Sequence, residues 1–492
     1  MVNWQWRKVR MAYRKGDRYQ LGMFPECIED YVAKDAPVRV YDAFVDALDF
    51  KELGIEINSA KVGNSEYHPR AMMKLLVYGY SYGVKSSRRL ELMTHNDVTF
   101  IWLMGGLKPD HKTIAEFRRR NKGSLAKVLK QCTRLCMKLN LIGGNVLFVD
   151  GTKIRANAGR DATHDAAWYE KRLAELDQRI EQLLEECESQ DQREDGMGTF
   201  TAMNKELAGA ENLKSKVQQA LEEMKKTGKE KINSTDPDCA IMRSIQGSHA
   251  GYNVQSVVDD KHGLIVHAQA ENEAGDVNQF SRQVESANEA LGKACDVACA
   301  DAGYANTEEL EKIDAQGIKV IVPSQRQALH KEESPFSKSH FTYDKEKDCY
   351  YCPMGHRLTH RSTYKKNGKR TYKIAQPKHC RSCVCREQCT SSKEGRKLVR
   401  LKNEEVKQRL EDQYEEPESQ KVYRRRKARV EHPFGHIKRN LKTDAFMMRG
   451  RDGVQAETSI LATCFNLTRM ISLLGIEVLI RNLSVVAMEV AG

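Results

Sequence analysis

The sequence predicts an α/β protein: a mixed-sheet core with helical additions and one cysteine-rich insertion. Three observations lead there. Two short apolar runs, NVLFVD and DVACAD, read as strands, each ending on an aspartate, Asp150 and Asp301, and each followed at once by Gly or Ala-Gly, which stops a strand. The first third of the chain and the stretch after Asp165 carry apolar residues at helical spacing. Six of the 14 cysteines fall between Cys349 and Cys389, in CYYCPMGH and HCRSCVCREQC, a stretch otherwise poor in core-forming residues.

In chain order, residues 1–140 read as a helical N-terminal domain. MMKLLVYGYSYGV, RRLELMTHNDVTFIWLMGG, HKTIAEFRRRN and LAKVLKQCTRLCMKLNLI are separated by turn signals at Lys108-Pro109-Asp110 and Gly123-Ser124. Asp110 or Thr113 caps the helix carrying Arg118, Arg119 and Arg120, a triplet beside Phe117 suited to phosphate contact; a plain helical bundle is the other reading. The core occupies 141–160 and 231–330, interrupted at 161–230 by two charged, Ala- and Leu-rich helices on either side of REDGMG. These form an antiparallel hairpin, either an interaction arm or a solvated decoration. Within DPDCAIMRS, Asp236 and Asp238 read as turn acids. Residues 331–395 are the cysteine-rich insertion, and 396–492 return to the core as C-terminal helices.

In open α/β sheets functional side chains gather at the carboxyl ends of strands, which singles out Asp150 and Asp301. A third acid, Glu431, sits in the basic run YRRRKARVEHPFGHIKRNLK, which reads as helical with Pro433 and Gly435 marking either a first turn or a kink. If that helix continues, Lys438 falls seven residues on and on nearly the same face as Glu431. Three carboxylates suit two hard divalent ions about 3.5–4 Å apart, the arrangement that clamps the attacking and leaving oxygens of a phosphodiester.

These residues carry a resemblance. DGTKI around Asp150, ADAGY around Asp301, and a Tyr-x2-Arg-x4-Glu-x6-Lys pattern through Tyr423, Arg426, Glu431 and Lys438 resemble the bacterial insertion-sequence transposases of the DDE class, in the IS-five-like superfamily. GYNVQSVVDDKHGLIV resembles the paired core strands of that family, and the likeness runs from about Tyr67 to about Met470. It implies an RNase H-like core in which Asp150, Asp301 and Glu431 are catalytic and hold two Mg2+ or Mn2+ ions. Tyr423, Arg426 and Lys438 then contact DNA or support Glu431, and the helical domain helps to bind the element's ends. The implied activity is cleavage at the ends of an insertion sequence and transfer of the freed 3'-hydroxyl into target DNA. The partners are double-stranded DNA, in terminal inverted repeats and target, and a second copy in a homodimer or higher oligomer. A nuclease or resolvase that cuts without joining, or a binding-only protein descended from a transposase, are the alternatives.

Cys-x2-Cys spacing in a cytoplasmic chain points to zinc rather than disulfides, in a unit of zinc-ribbon type. The family pattern maps the ligands to Cys352, Cys380, Cys383 and Cys389. Cys349 and Cys385 are extra, and His356 or His379 are further candidates, so the ligand set stays open. Composition agrees: 80 Lys and Arg against 68 Asp and Glu leave a net charge of +12, clustered in RKVRMAYRKGDR and around Glu431, which favours a polyanionic partner. No apolar leader precedes the basic start, and charges at Glu457, Arg469, Glu477 and Arg481 interrupt the apolar C-terminal region. A cytoplasmic protein without a membrane span is therefore expected.

Overall fold

The computed structural model describes residues 27–57, 66–191, 197–244, 247–329, 334–364 and 368–491. The basic stretch 7–18 and most of REDGMG lie outside the described residues.

Five strands build the central sheet: β1 (Val146–Arg155), β2 (Gly247–Asp259), β3 (Ile265–Glu271), β4 (Val297–Cys299) and β5 (Lys319–Ile321). Their order is β3-β2-β1-β4-β5, with the short strand Ala240–Ser244 on the same edge of β2 as β3, beyond its end. Pairings among β1, β2 and β3 are antiparallel; β4 joins β1, and β5 joins β4, in parallel. β2 and β3 are connected by a tight turn at Asp260–Gly263, the inserted helices lie between β1 and β2, and the parallel connections require crossovers, supplied by helix α1 (Phe280–Leu291) and the helix Thr307–Asp314.

β1 corrects one expectation. It does not stop at Asp150 but continues through Gly151 to Arg155, because β2 pairs with it along its length, from Leu147 opposite Asp259 to Arg155 opposite Gly251. On its other edge the sheet does end there: the β4 pairing finishes at Phe148 opposite Cys299. Asp150 thus lies in mid-strand for one neighbour and just past the end for the other.

Helix α2 (Pro417–Gly435) packs across the sheet, and Val430 on it joins Phe148, Cys299, Ile321 and Tyr414 in a buried cluster. Pro433 sits inside the last turn rather than at a first turn, and with no N–H to return to the preceding turn it is followed directly by a π-helical turn, His436–Asn440. Helix α3 (Arg451–Leu474) is buried over most of its surface, as a core helix is. It closes the free edge of β3: Asn466 accepts from Ile265 N and donates to Ile265 O, each at 2.8 Å, and Gln455 does the same to Ala270 N and Ala268 O. An edge strand covered in this way offers no template for another chain.

The N-terminal helices, among them Pro69–Ser81, His111–Arg120 and Val128–Lys138, share one continuous apolar core with the sheet and α3. Asp110 is the cap: its carboxylate accepts from Thr113 N at 2.8 Å. The inserted helices Ala166–Asp191 and Met197–Thr227 lie antiparallel, with Tyr169 and Leu176 against Val217, Ala220 and Met224, and Lys214 and Arg179 paired to Asp177 and Glu206. The cysteine-rich segment is a separate antiparallel sheet of five strands around a small core of Phe341, Tyr350, Leu358, Tyr372, Ile374 and Leu398. Among the described residues no single helix is long and apolar enough to cross a membrane.

Candidate active site

Asp301 follows the end of β4 by two residues and caps the turn Ala302–Tyr304, accepting from Gly303 N at 2.8 Å. That local bond orients the carboxylate towards β1, where Asp150 projects from the adjoining strand. Between them stands Arg426 of α2, its Nη1 3.7 Å from Asp150 Oδ1 and its Nη2 3.6 Å from Asp301 Oδ2. The guanidinium is only 14% exposed and its Nη1 has no hydrogen-bond partner. Both distances exceed a hydrogen bond, so Arg426 neutralises the two acids without being locked to either.

The electrostatics follow from this crowding. Burial pushes the Asp150 carboxyl up to about 6, with Asp301 and Asp276 adding repulsion and Arg426 pulling the other way. Burial works against the charge of Arg426, but Asp150 and Asp301 outweigh it and raise its pKa. The ring of Tyr423 lies 5.8 Å from the guanidinium carbon and packs edge-on to Tyr414.

The other predicted residues divide. Glu431 is on the expected helix, but its side chain is 65% exposed and its ion-pair partner is Lys427 at 3.9 Å, one turn back. Lys438 does not share its face: the π turn swings Lys438 inward, where Nζ donates to Thr152 Oγ1 at 2.6 Å, and burial lowers its pKa. Thr152 is two residues along β1 from Asp150 and therefore on the same side of the sheet, so Lys438 buttresses the strand that carries the acid.

Arg118 is a correction. It is buried, donating to Lys85 O at 2.8 Å and to Tyr80 Oη at 3.3 Å, and cannot reach a phosphate. Arg119 and Arg120 point outward and pair with Glu116 on their own helix. Asp236 and Asp238 make bonds beyond their own turn: they accept from Gly450 N and Arg451 N at the start of α3, and Asp236 also takes the hydroxyl of Tyr252.

Sequence reasoning missed Asp276. It lies in the loop after β3, and its Oδ1 accepts from Asn253 Nδ2 at 2.7 Å and Gln255 Nε2 at 2.8 Å, both on β2. Gln255 in turn accepts the Tyr304 hydroxyl at 2.5 Å, which links the Asp301 turn to the same group. No periodicity or spacing marks Asp276; only the pairing of β2 beside β1 brings it in.

In the cysteine-rich unit, Cys352, Cys380, Cys383 and Cys389 line one cavity of about 20 Å³, with His356 and His379 stacked beside it at 4.6 Å. Backbone N–H groups of His356 and Arg396 point at the sulfurs of Cys352 and Cys380, at 3.3 and 3.5 Å. Cys349 is buried within a strand and Cys385 caps a short helix, neither on the cavity wall. Among the described residues no three His, Cys, Asp or Glu side chains are drawn together tightly enough to hold a metal ion as they stand.

The sheet order, three antiparallel strands followed by two parallel ones, with Asp150 on the first strand and Asp301 two residues past the fourth, is that of an RNase H-like core. Comparison with known proteins narrows the class. Residues 351–471, which hold the cysteine cavity, α2 and most of α3, match the family described as transposase DDE domain, and residues 26–120 match the family described as transposase domain (DUF772). Both matched segments are transposase domains, one of them of the DDE class, and they support reading the chain as a DNA transposase. Asp150, Asp276 and Asp301 fall outside both matched segments. Among solved structures, the cryo-EM synaptic complex of piggyBac transposase with hairpin DNA aligns over 93% of this chain and 80% of that one, at 9% identity and a TM-score of 0.33, too low to carry an argument. No curated protein sequence matches.

Proposed function

We propose that the enzyme cleaves DNA at the ends of its element and joins the freed 3'-hydroxyl to target DNA, with Asp150 and Asp301 as the acids that hold divalent metal. The observation that carries this reading is the placement of a buried, incompletely bonded guanidinium between two carboxylates from adjacent strands: the acids already face a common cation. Divalent ions bound there would supply Lewis-acid polarisation of the scissile phosphate and a more acidic water. The protein's own part is positional. Asp301 is oriented by its turn, Asp150 by a strand paired on one side, and Lys438 braces that strand through Thr152. Arg426, displaced from between the acids, is left with Tyr423 beside it and a phosphate within its reach. Glu431, exposed on α2, is available to the same site once DNA covers it. The reaction pairs two ends, which favours a dimer or larger assembly.

In the cysteine-rich unit the sulfurs of Cys352, Cys380, Cys383 and Cys389 are the ligands we assign to zinc, supported by their common cavity and by the N–H groups aimed at two of them. A core of six buried side chains is small for an independent sheet, and four thiolates around one ion would compensate. Zinc content of the purified protein tests this: one equivalent, lost in Cys383→Ser and kept in Cys385→Ser, is the expected result.

The test of activity is cleavage and joining of labelled DNA bearing the element's ends, with Mg2+ or with chelator, in the wild type and Asp301→Ala. Metal-dependent nicking and joining, lost in the variant, is expected. Nicking without joining would reduce the enzyme to a nuclease, and binding without cleavage in either protein would overturn the catalytic reading.

A further inference from the structure

Asp150 is followed by Gly151, and Asp301 by Ala302 and then Gly303, and the reason for each glycine is steric. A Cβ on Gly151 would lie 2.5 Å from Gln255 Nε2 and 2.9 Å from Asp276 Oδ1; a Cβ on Gly303 would lie 2.9 Å from Asp301 Oδ1 and 3.9 Å from Asp276 Oδ2. Contacts under 3.0 Å are essentially never made by a real Cβ. Gly151 therefore keeps open the space behind β1 into which Asp276 reaches, and Gly303 the space taken by the Asp301 carboxylate itself. Gly151 is not acting as a strand stop: β1 runs on through it.

Asp276 is held for that position. One oxygen, Oδ1, is fixed by two amide donors on alternate residues of β2, Asn253 and Gln255, whose side chains are themselves buried. The other, Oδ2, has no protein donor assigned to it and lies on the Asp301 side, since it and Asp301 Oδ1 are both within 4 Å of the same point beside Gly303. Asp276 is also close enough to Asp150 to add to its repulsion. Against this, Glu431 faces solvent beside Lys427. The cation now nearest the acids is Arg426, whose Nη1 is buried without a bonding partner.

We infer that Asp276 is a further acid of the active site, its free Oδ2 joining Asp301 in holding a divalent cation before DNA binds, in a place Glu431 does not occupy. The inference rests on the metal-dependent reading of Asp150 and Asp301 given above. The glycine of ADAGY also has a physical meaning: the aspartate orients itself on the Gly303 N–H, and a Cβ there would crowd that same carboxylate.

The experiment is Mn2+ binding to the full chain without DNA, by calorimetry and by the electron paramagnetic resonance of the free ion, in the wild type, Asp276→Asn, Glu431→Gln, Asp150→Asn and Asp301→Asn. Asparagine still offers an oxygen to Asn253 and Gln255, so thermal unfolding of Asp276→Asn in chelator should match the wild type. Mn2+ affinity should fall about 10-fold or more in Asp276→Asn, as it does when a supporting carboxylate is removed from a metal site, and stay unchanged in Glu431→Gln. Wild-type Mn2+ affinity in Asp276→Asn, with loss in Asp150→Asn and Asp301→Asn, would overturn this inference alone. Wild-type affinity in all of them would overturn the metal reading of the site as well. Lowered stability of Asp276→Asn in chelator with undiminished Mn2+ affinity would make Asp276 a purely structural group.

Discussion

Two arginines meet buried acids in this molecule, with opposite outcomes. Under the N-terminal helices, Arg118 donates to a backbone carbonyl and to the Tyr80 hydroxyl, while nearby Glu457 on α3 accepts from the N–H groups of Met447 and Met448 at 2.8 and 3.0 Å. At the sheet, Arg426 stands between Asp150 and Asp301 at distances too long for hydrogen bonds. The first group ties loop and helix together by bonds to the backbone, which no ligand can replace. The second holds like charges near one another with a side chain that can leave. Buried charge anchored through the backbone, as one Glu457 oxygen is, belongs to the fold; charge balanced only by a loosely placed counter-ion is ready for a ligand.

Arg118→Ala should therefore have the largest effect on stability. It strips a buried carbonyl and hydroxyl of their donor, and such losses destabilise by about 3–5 kcal/mol. Denaturant unfolding reads it directly, and a loss under about 1 kcal/mol would break the contrast drawn between the two sites.

Arg426→Gln should invert that pattern. Its removal from between the acids should lower stability in chelator by about 1–2 kcal/mol at most, because neither carboxylate loses a hydrogen bond, yet tighten Mn2+ binding about 10-fold by removing a competing cation. Calorimetry on DNA-free protein measures this. Weaker Mn2+ binding would mean that Arg426 shapes the site rather than occupying it. Cleavage should fall all the same, since the phosphate loses its guanidinium.

A third test concerns Glu457. Burial raises its pKa above the ordinary value of 4.5, against the backbone N–H groups of Met448 and Met447 and the nearby charges of Lys85 and Arg118. The raised value means the folded state favours the protonated form, so the stability this group contributes is full below 4.5 and is lost as pH rises through the folded value. Glu457→Gln keeps the shape and the acceptor oxygen but cannot ionise. It should match the wild type at pH 4 and exceed it at pH 8 in unfolding experiments; equal stability at both would show that Lys85 and Arg118 fully compensate the carboxylate.

The parts of the site written in local sequence were legible, and those made by pairing were not. NVLFVD and DVACAD announced strands because their apolar runs are continuous, and the acids after them fell where adjacent strands put them side by side. The extension of β1 past Gly151 depends on β2, a partner about 100 residues away in sequence, and no local signal records it. Asp276 enters by the same route. Lys438 was misplaced because an α-helical register was assumed where the turn after Pro433 is wider, which rotates every later side chain. The cysteines are intermediate: spacing left the ligand set open and the family resemblance singled out four of six, and the fold puts those four around one cavity while Cys349 and Cys385 face elsewhere.

Arg118, Arg119 and Arg120 carry the comparison to its smallest effect within a single tripeptide. Successive residues on a helix turn about 100°, so three adjacent arginines cannot share an environment. Arg118 faces the core, and Arg119 and Arg120 face solvent with Glu116, at 68% and 66% exposure. Exposed pairs of this kind contribute little, so the double substitution Arg119→Ala, Arg120→Ala should change stability by less than about 0.5 kcal/mol. If these two side chains give up Glu116 for DNA phosphates, the same variant should lose nearly two released counterions, and the slope of log K against log salt should become shallower by about 2. An unchanged slope would place the DNA path elsewhere than along this helix, and leave Arg118 as the only member of the triplet with a function.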